Sequence, residues 1–358
     1  MSSSITYPLP SADEQLLFLQ RIQLLLTDAT FTSTYKFALL LAITELSVEM
    51  GQDTGEPLAL PLSALADKTI ELYWQQTLPY MSSSESEEAS GIFLQNTHNQ
   101  AAIIRAVLAL REAGCHTLAQ ARHHPQWLST RQYVAQTLKK MPIQFLQNIN
   151  GQTLPFLYQP QLQQQHLVLI AGTMFCLRQF QAIIQQLVRQ KWIAFIQKLS
   201  HNQKLLGEQH DLESFLFGTS RTVLAQVEKV LKPLQDHRCF FCGGKLQERG
   251  CAVDHFIPWS RYPRDTALNF VVAHGSCNGD KSDLLAAEKH LVNWLTRNEQ
   301  QGLDISGQLQ SIGFNHSPTT SKHVAQWAYQ QAIQQQAFLW VGTKQSLEAS
   351  HQALLSYF

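Results

Sequence analysis

Apolar positions recur three and four residues apart over most of the chain, the spacing that gathers them on one stripe of an α-helix. Residues 35–50 show it first, with Phe37, Leu40, Leu41, Thr44 and Val48 marking a face to bury. Ser63 then reads as the N-cap of a second helix that turns Leu65, Thr69, Leu72 and Tyr73 inward. The pattern returns at 99–113, at 130–144 and at 179–199, where Phe180, Ile183, Ile184, Leu187, Trp192, Phe195 and Ile196 line up. A helix at 221–234 follows. Residues 281–297 put Leu284, Ala287, Leu291 and Trp294 on one stripe, 298–321 read as loop-rich, and 322–336 are helical again. Short apolar runs at 153–159 and 167–171, punctuated by Gly151 and Gly172, predict a small hairpin. Residues 81–91, MSSSESEEASG, lack apolar anchors and predict a linker. The fold class expected is mainly α.

Composition adds little to this picture, and charge adds more. With 358 residues, 44% hydrophobic and 15% charged, the chain is long enough for two or three cores. The glutamine-rich stretches keep their apolar period, so they read as helices with amide faces. The longest apolar runs fall short of the roughly 20 residues of a membrane span. No basic segment followed by an apolar one opens the sequence, and a cytoplasmic protein without membrane contact is expected. The formal charge of zero conceals a separation. Residues 1–100 carry twelve acids and three bases, residues 101–207 eleven bases and the single acid Glu112, and the remainder thirteen bases and fourteen acids. A segment so one-sided can bind a phosphate backbone, or dock on the acidic region within the fold. The two readings are compatible, and in the first the acidic part covers a basic nucleic-acid surface and restrains it. A helix-turn-helix reading of the first helices fails on charge.

Six cysteines in a reducing compartment favour metal ligation or burial over disulfides. Cys115 and Cys176 stand alone in helical, apolar contexts and read as core. Cys239, Cys242, Cys251 and Cys277 share a 39-residue window. Cys239-Phe-Phe-Cys242 followed by two glycines has the spacing of a zinc knuckle, and His274-Gly-Ser-Cys277 repeats the gap. Together they offer a Cys3His tetrahedral site for structural Zn²⁺, with 31 residues looped out between the pairs. Cys251 is the rival ligand and reads as buried instead. Inside the loop lies Asp254-His255. A neutral imidazole accepts a proton near pH 7, and a carboxylate suits Mg²⁺ or Mn²⁺, two requirements of phosphodiester hydrolysis. Neighbours on a strand face opposite sides, so a bend near Pro258 is needed to present both. Asn269, Asn278 and Lys281 follow, the last two one helical turn apart.

Asp254-His255, Asn269, His274/Cys277, Asn278 and Lys281, within DHFIPWSRYPRDTALNFVVAHGSCNGDKSD, resemble the signature of the HNH endonucleases, the ββα-metal or His-Me finger family. The resemblance implies that His255 is the general base, that Asp254 and Asn278 hold the catalytic Mg²⁺ or Mn²⁺, and that Asn269 orients His255. It implies that Lys281 contacts phosphate and that zinc staples the hairpin to the helix. Asn278 stands where the third position of the motif is otherwise His, and His274 where many members have Cys. In the loop between His255 and Asn269, Arg261 is the candidate for DNA contact beside Arg264, while Trp259 and Tyr262 read as core. CLRQF (176–180), LESFLFG (212–218) and QWAY (326–329) resemble stretches of longer bacterial HNH proteins, some of which accompany anti-phage defence genes. That similarity implies a defence or restriction setting, with partner proteins that supply targeting.

The expected organisation is an acidic helical region at 1–95, a basic helical region with a hairpin at 96–235, the HNH domain at 236–298 and a helical extension at 299–358. The expected activity is hydrolysis of DNA with a single catalytic ion, one strand at a time. Two rivals stand beside it: an RNA-directed, toxin-like nuclease, and a zinc-containing DNA-binding protein that has lost catalysis.

Overall fold

Between Tyr35 and Met50 the sequence is apolar on too many sides for a helix with one wet face. In the computed structural model every residue from Phe37 to Glu49 is buried, so the expectation of a single buried face was too narrow. The structure describes residues 6–81, 90–206, 212–218, 221–314 and 317–358. They fall into two compact units, residues 1–116 with 121–218, and residues 117–120 with 219–358. No helix among the described residues is long and apolar enough to cross a membrane.

The first unit is built from α1 (Ala12–Asp28), α2 (Tyr35–Met50), α3 (Leu62–Trp74), α4 (Ala102–Glu112), α5 (Trp127–Lys140), α6 (Thr173–Gln179) and α7 (Gln181–Lys198). Because α2 is buried all round, its polar residues need internal partners. Thr44 and Ser47 each donate to the carbonyl four residues back, at 2.8 Å. Glu45 and Glu49 meet Lys68 of α3 at 3.7 and 2.7 Å, and Glu71 joins them at 3.4 Å. Arg178 of α6 closes the far end, donating to the carbonyls of Ser47, Val48 and Gly51 and pairing with Asp53 at 2.5 Å. The Ser47 carbonyl also accepts from the Gly51 N–H at 3.1 Å, and a cation is the favourable group at this C-terminal end of α2.

That arrangement answers the charge separation. Acidic and basic stretches meet inside one unit, through Arg178–Asp53, Arg131–Asp67 at 3.5 Å and Arg122–Glu71 at 3.7 Å. The boundary expected at 95/96 is not a boundary between compact units, and Glu45, Glu49, Asp53, Asp67 and Glu71 of the acidic stretch pair with bases inside the first unit. Most helices lie where the apolar period puts them, with shifted ends. α3 begins at Leu62 behind Pro61, so Ser63 lies inside the helix and caps nothing. Helix α5 stops at Lys140, because Pro142 keeps Met141 out of helical geometry. The expected hairpin is a single bridge, Tyr158 to Leu169, and the strand β2 (His166–Val168) pairs instead with β1 (Ala59–Pro61). Residues 82–89 of the expected linker lie outside the described residues; Tyr80–Met81 and Ser90–Gly91 on either side pair with each other.

The second unit contains α8 (Arg221–Leu234), β3 (Cys251–His255), β4 (Phe270–His274), α9 (Gly275–Lys281), α10 (Glu288–Ser311) and α11 (Pro318–Gln334). It begins before residue 236 and runs past 298, so the expected nuclease domain is its centre, not a separate body. The expected helix 281–297 is in fact two. Ser282, at φ +47°, ends α9, and Trp340 exchanges backbone hydrogen bonds of 2.8 Å with Leu285 and Ala287, which holds residues 285–287 extended. The expected loop at 298–321 is helical as far as Ser311. Gly302, Gly307 and a polar run disguise it, yet Ile305 and Leu309 are buried on the stripe that Leu291 and Trp294 begin.

Candidate active site and metal centre

Strands β3 and β4 pair antiparallel over five residues, from Cys251 opposite His274 to His255 opposite Phe270. Phe270 to Ala273 are all buried, as an unbroken apolar run predicts for a strand covered on both faces. Helix α9 starts immediately after β4, so hairpin and helix form a ββα unit. The side of β4 away from β3 is occupied as well. Gln235 accepts from the Val272 N–H at 2.8 Å and donates to its carbonyl at 2.9 Å, and the Phe240 N–H also donates to that carbonyl at 3.0 Å.

Cys239, Cys242, His274 and Cys277 come together with all four ligand atoms within 4.8 Å of one another. A tetrahedral set with Zn–S bonds of about 2.3 Å spans roughly 3.7 Å, so the donors need to close only slightly. The knuckle is formed as its glycines suggest. Gly243 turns with φ +69° and donates to the Cys239 carbonyl at 2.9 Å, and a side chain on Gly244 would stand 3.2 Å from the His274 ring. His274 offers Nδ1, 3.2 Å from Cys242 Sγ, while its Nε2 donates to the Lys245 carbonyl at 3.1 Å. That outer hydrogen bond sets the tautomer that leaves Nδ1 free to ligate. Burial pushes the Cys277 thiol up to about 11, so ligation as thiolate releases a proton. Cys251 is outside the cluster: half-buried, it donates to the Gln247 carbonyl at 3.0 Å. Cys115 and Cys176 are buried, as expected.

Asp254 and His255 leave the end of β3 towards different partners. The Asp254 carboxylate meets Lys281 of α9, whose Nζ lies 3.0 Å from Oδ2 and donates to the His255 carbonyl at 3.0 Å. Lys281 is wholly buried, which corrects the expectation that it contacts phosphate. Burial raises the Asp254 pKa above the ordinary carboxylate value, opposed by Lys281; burial also lowers that of Lys281, opposed by Asp254. A desolvated carboxylate of this kind gains from a second cation. Asn278, one turn before Lys281 on α9, is half-buried, and its side chain has no hydrogen bond to any described residue. An anionic oxygen and an uncommitted amide oxygen are hard donors, which fit Mg²⁺ or Mn²⁺.

The His255 ring packs against Phe270 with centroids 4.9 Å apart, and its Nε2 lies 2.5 Å from Asp265 Oδ1. Asp265 went unrecognised in the sequence; its only signal there is an acid in a loop otherwise carrying Arg261 and Arg264. Asn269 does not touch the His255 ring. Its amide accepts from the Ile257 N–H at 2.7 Å and donates to the Ile257 carbonyl at 2.9 Å, while its own carbonyl accepts from Phe256 N–H at 2.7 Å. Asn269 thus pins the backbone just beyond His255, in place of the direct contact expected. This is also the bend that the strand geometry required. Trp294 stacks on Phe256 at 4.9 Å and donates to the Leu268 carbonyl, and Arg297 donates to the carbonyls of Leu268 and Phe270 on either side of Asn269. Tyr262 is buried and Trp259 half-buried, and Arg261 is half-buried near Asp283.

A family model described as a domain of unknown function (DUF8808) matches residues 17–216, more than half of the chain. The chain belongs to the DUF8808 family. A second family model, described as HNH endonuclease, matches residues 239–287, which span the knuckle, the hairpin and α9. This DUF8808 protein therefore carries an HNH endonuclease module with a Cys3His cluster that fits a zinc staple. No curated protein and no solved structure matches the chain.

Proposed function

We propose that this protein hydrolyses DNA phosphodiester bonds with His255 as general base and a single divalent ion, Mg²⁺ or Mn²⁺, held by Asp254 and Asn278. The observation that carries this reading is the state of the His255 ring. Its Nε2 is held by the Asp265 carboxylate, which only accepts, so Nε2 bears the proton and Nδ1 carries the lone pair. Among the described residues Nδ1 has no partner, and that nitrogen takes the proton from the attacking water. When bound, the ion polarises the scissile phosphate and stabilises the leaving oxygen. Asp254 supplies an anionic ligand and Asn278 a neutral one, with Lys281 fixing Asp254 from behind. Arg261 serves as the phosphate contact. Zn²⁺ in the Cys3His cluster ties the knuckle to β4 and α9, and so holds the hairpin that carries His255.

One such site cuts one strand, so nicking is the product expected of a single chain. We place the activity in bacterial anti-phage defence or restriction, with partner proteins supplying the target; this rests on the similarity of the short stretches at 176–180, 212–218 and 326–329 alone. Supercoiled plasmid, single-stranded DNA and structured RNA, incubated with Mg²⁺, test the reading together. Open-circular plasmid that disappears with His255→Ala supports it. Cleavage confined to RNA transfers the site to the other substrate, and Mg²⁺-dependent cleavage that survives His255→Ala overturns it.

A further inference from the structure

Two depressions on the first unit share Tyr35, Asn96 and Met141 and so run into one another. They measure about 530 and 350 Å³, each within the range of roughly 300–1,000 Å³ that small-ligand sites occupy. Arg105 and Lys140 line the first, Lys36 the second, and no carboxylate lines either. Arg105 and Lys140 are exposed, and among the described residues neither has an ion-pair partner. The other basic side chains of this unit include Arg178, Arg122 and Arg131, which are paired to acids. Lys36 donates to the Thr30 carbonyl at 3.0 Å and lies over the Phe31 ring, so Arg105 and Lys140 are the cations of the groove that stand without a partner among the described residues.

The rest of the lining mixes amides and aromatic rings with hydroxyl and apolar residues such as Thr137, Ser33 and Met141. Asn96, Asn99, Gln136 and Asn148 bring side-chain amides to the lining, while Tyr133 and Phe145 stand 49% and 45% exposed, one in each depression. Half-exposed aromatic rings beside cations offer flat faces on which a base can stack next to a charge that takes its phosphate. The first turn of α4 forms part of the same wall: Ala102 lines it, and the Ile103 N–H donates to the Tyr35 hydroxyl at 3.0 Å.

The geometry points to a second nucleic-acid site on the DUF8808 unit, a groove that takes single-stranded nucleic acid. Arg105, Lys140 and Lys36 neutralise phosphates, Tyr133 and Phe145 stack bases, and the amides contact base edges without imposing one sequence. Cations along a groove with aromatic platforms are the combination that binds single strands. A duplex keeps its bases stacked inside and gains nothing from the rings. A free nucleotide shares the same chemistry, but two joined, open depressions with a ring in each suit a strand. The assignment rests on reading the chain as one that acts on nucleic acid, yet its test requires no cleavage.

The test uses full-length, zinc-loaded protein bearing His255→Ala so that the probe stays intact. Anisotropy of a labelled oligothymidylate is followed across a salt series, beside a duplex of equal length and thymidine monophosphate as competitor. Arg105→Ala with Lys140→Ala should weaken strand binding and reduce the log–log salt slope by about 1.4, since each phosphate contact on a single strand contributes about 0.7. Tyr133→Ala should weaken binding about tenfold and leave the slope unchanged. All three side chains are exposed, so circular dichroism should show an unaltered fold. Unchanged affinity and slope in the folded double variant would overturn the proposal, as would a duplex bound as tightly as the strand, or a mononucleotide that competes as well as the oligomer. Should the protein with His255 intact bind the strand but cut nothing, the nuclease reading fails while the groove stands.

Discussion

His255 and Asp265 are joined by a 2.5 Å hydrogen bond from Nε2 to Oδ1, ten positions apart in the chain. In the proposed mechanism this bond decides which ring nitrogen faces water, and Asp265 acts through His255 rather than on substrate. Asp265→Asn should lower kcat by about 10²-fold with KM little changed, within the span of about 10²–10⁴ that a positioned base contributes. The decisive measurement is the double variant. His255→Ala with Asp265→Asn should be no slower than His255→Ala alone, because the carboxylate has nothing left to orient.

Lys281 is wholly buried against Asp254, so its removal should be felt in stability rather than in nucleic-acid affinity. Lys281→Met leaves a buried carboxylate uncompensated and should destabilise the second unit by about 3–5 kcal/mol, measured by denaturant unfolding. The salt dependence of nucleic-acid binding should not change. A shallower salt slope at unaltered stability would restore Lys281 to a phosphate contact.

The Cys3His cluster predicts one zinc per chain by elemental analysis. Cys239→Ser or Cys277→Ala should abolish it, and a chelator should remove the cooperative melting of the second unit, because the free energy of structural zinc binding is folding free energy. His274→Cys retains a four-ligand set and should keep the metal. Cys251→Ser lies outside the set and should not alter zinc content.

Trp294 and Arg297 brace the corner at Asn269 from α10. Trp294→Ala should cost about 3–5 kcal/mol, the usual range for a buried tryptophan. Arg297→Met removes donors to the carbonyls of Leu268 and Phe270, and should reduce kcat as well as stability, since the backbone it frees leads to His255. A change in melting temperature with kcat unaltered would confine Arg297 to a purely structural role.

The chemistry of the site was more legible in the sequence than its support. Cys239, Cys242, His274 and Cys277 declare themselves by spacing, and Asp254-His255 by adjacency within that frame. Such ligands are local, and a metal or a strand end demands particular residue types. Lys281 was misread because a lysine one turn after Asn278 looks the same whether it meets phosphate or a buried carboxylate; burial distinguishes the two, and burial depends on the tertiary fold. Asp265, Arg297 and Gln235 carry no periodic signal, since each reaches a backbone or ring from a distant or irregular segment. Among the helices, α2 and α7 lie where the apolar period puts them, but α2 is buried on every side and α7 buries Gln185 and Arg189 while leaving Ile183 exposed; α10 was hidden by two glycines and a polar face. The charge separation was real in the sequence, but its resolution into Arg178–Asp53 and the acids around Lys68 required the packing of α2, α3 and α6.

The zinc staple is buried on one side only. Cys239 and Cys277 lie inside, with the Thr343 hydroxyl turned towards Cys277 Sγ, whereas Cys242 is exposed and His274 half-exposed. An ion held in this way has a door. Exchange with the surrounding metal pool, and attack by an oxidant, would both meet Cys242 first, the exposed ligand whose loss would unlatch the knuckle from β4. Any activity of the HNH module would then follow the zinc and redox state of its surroundings.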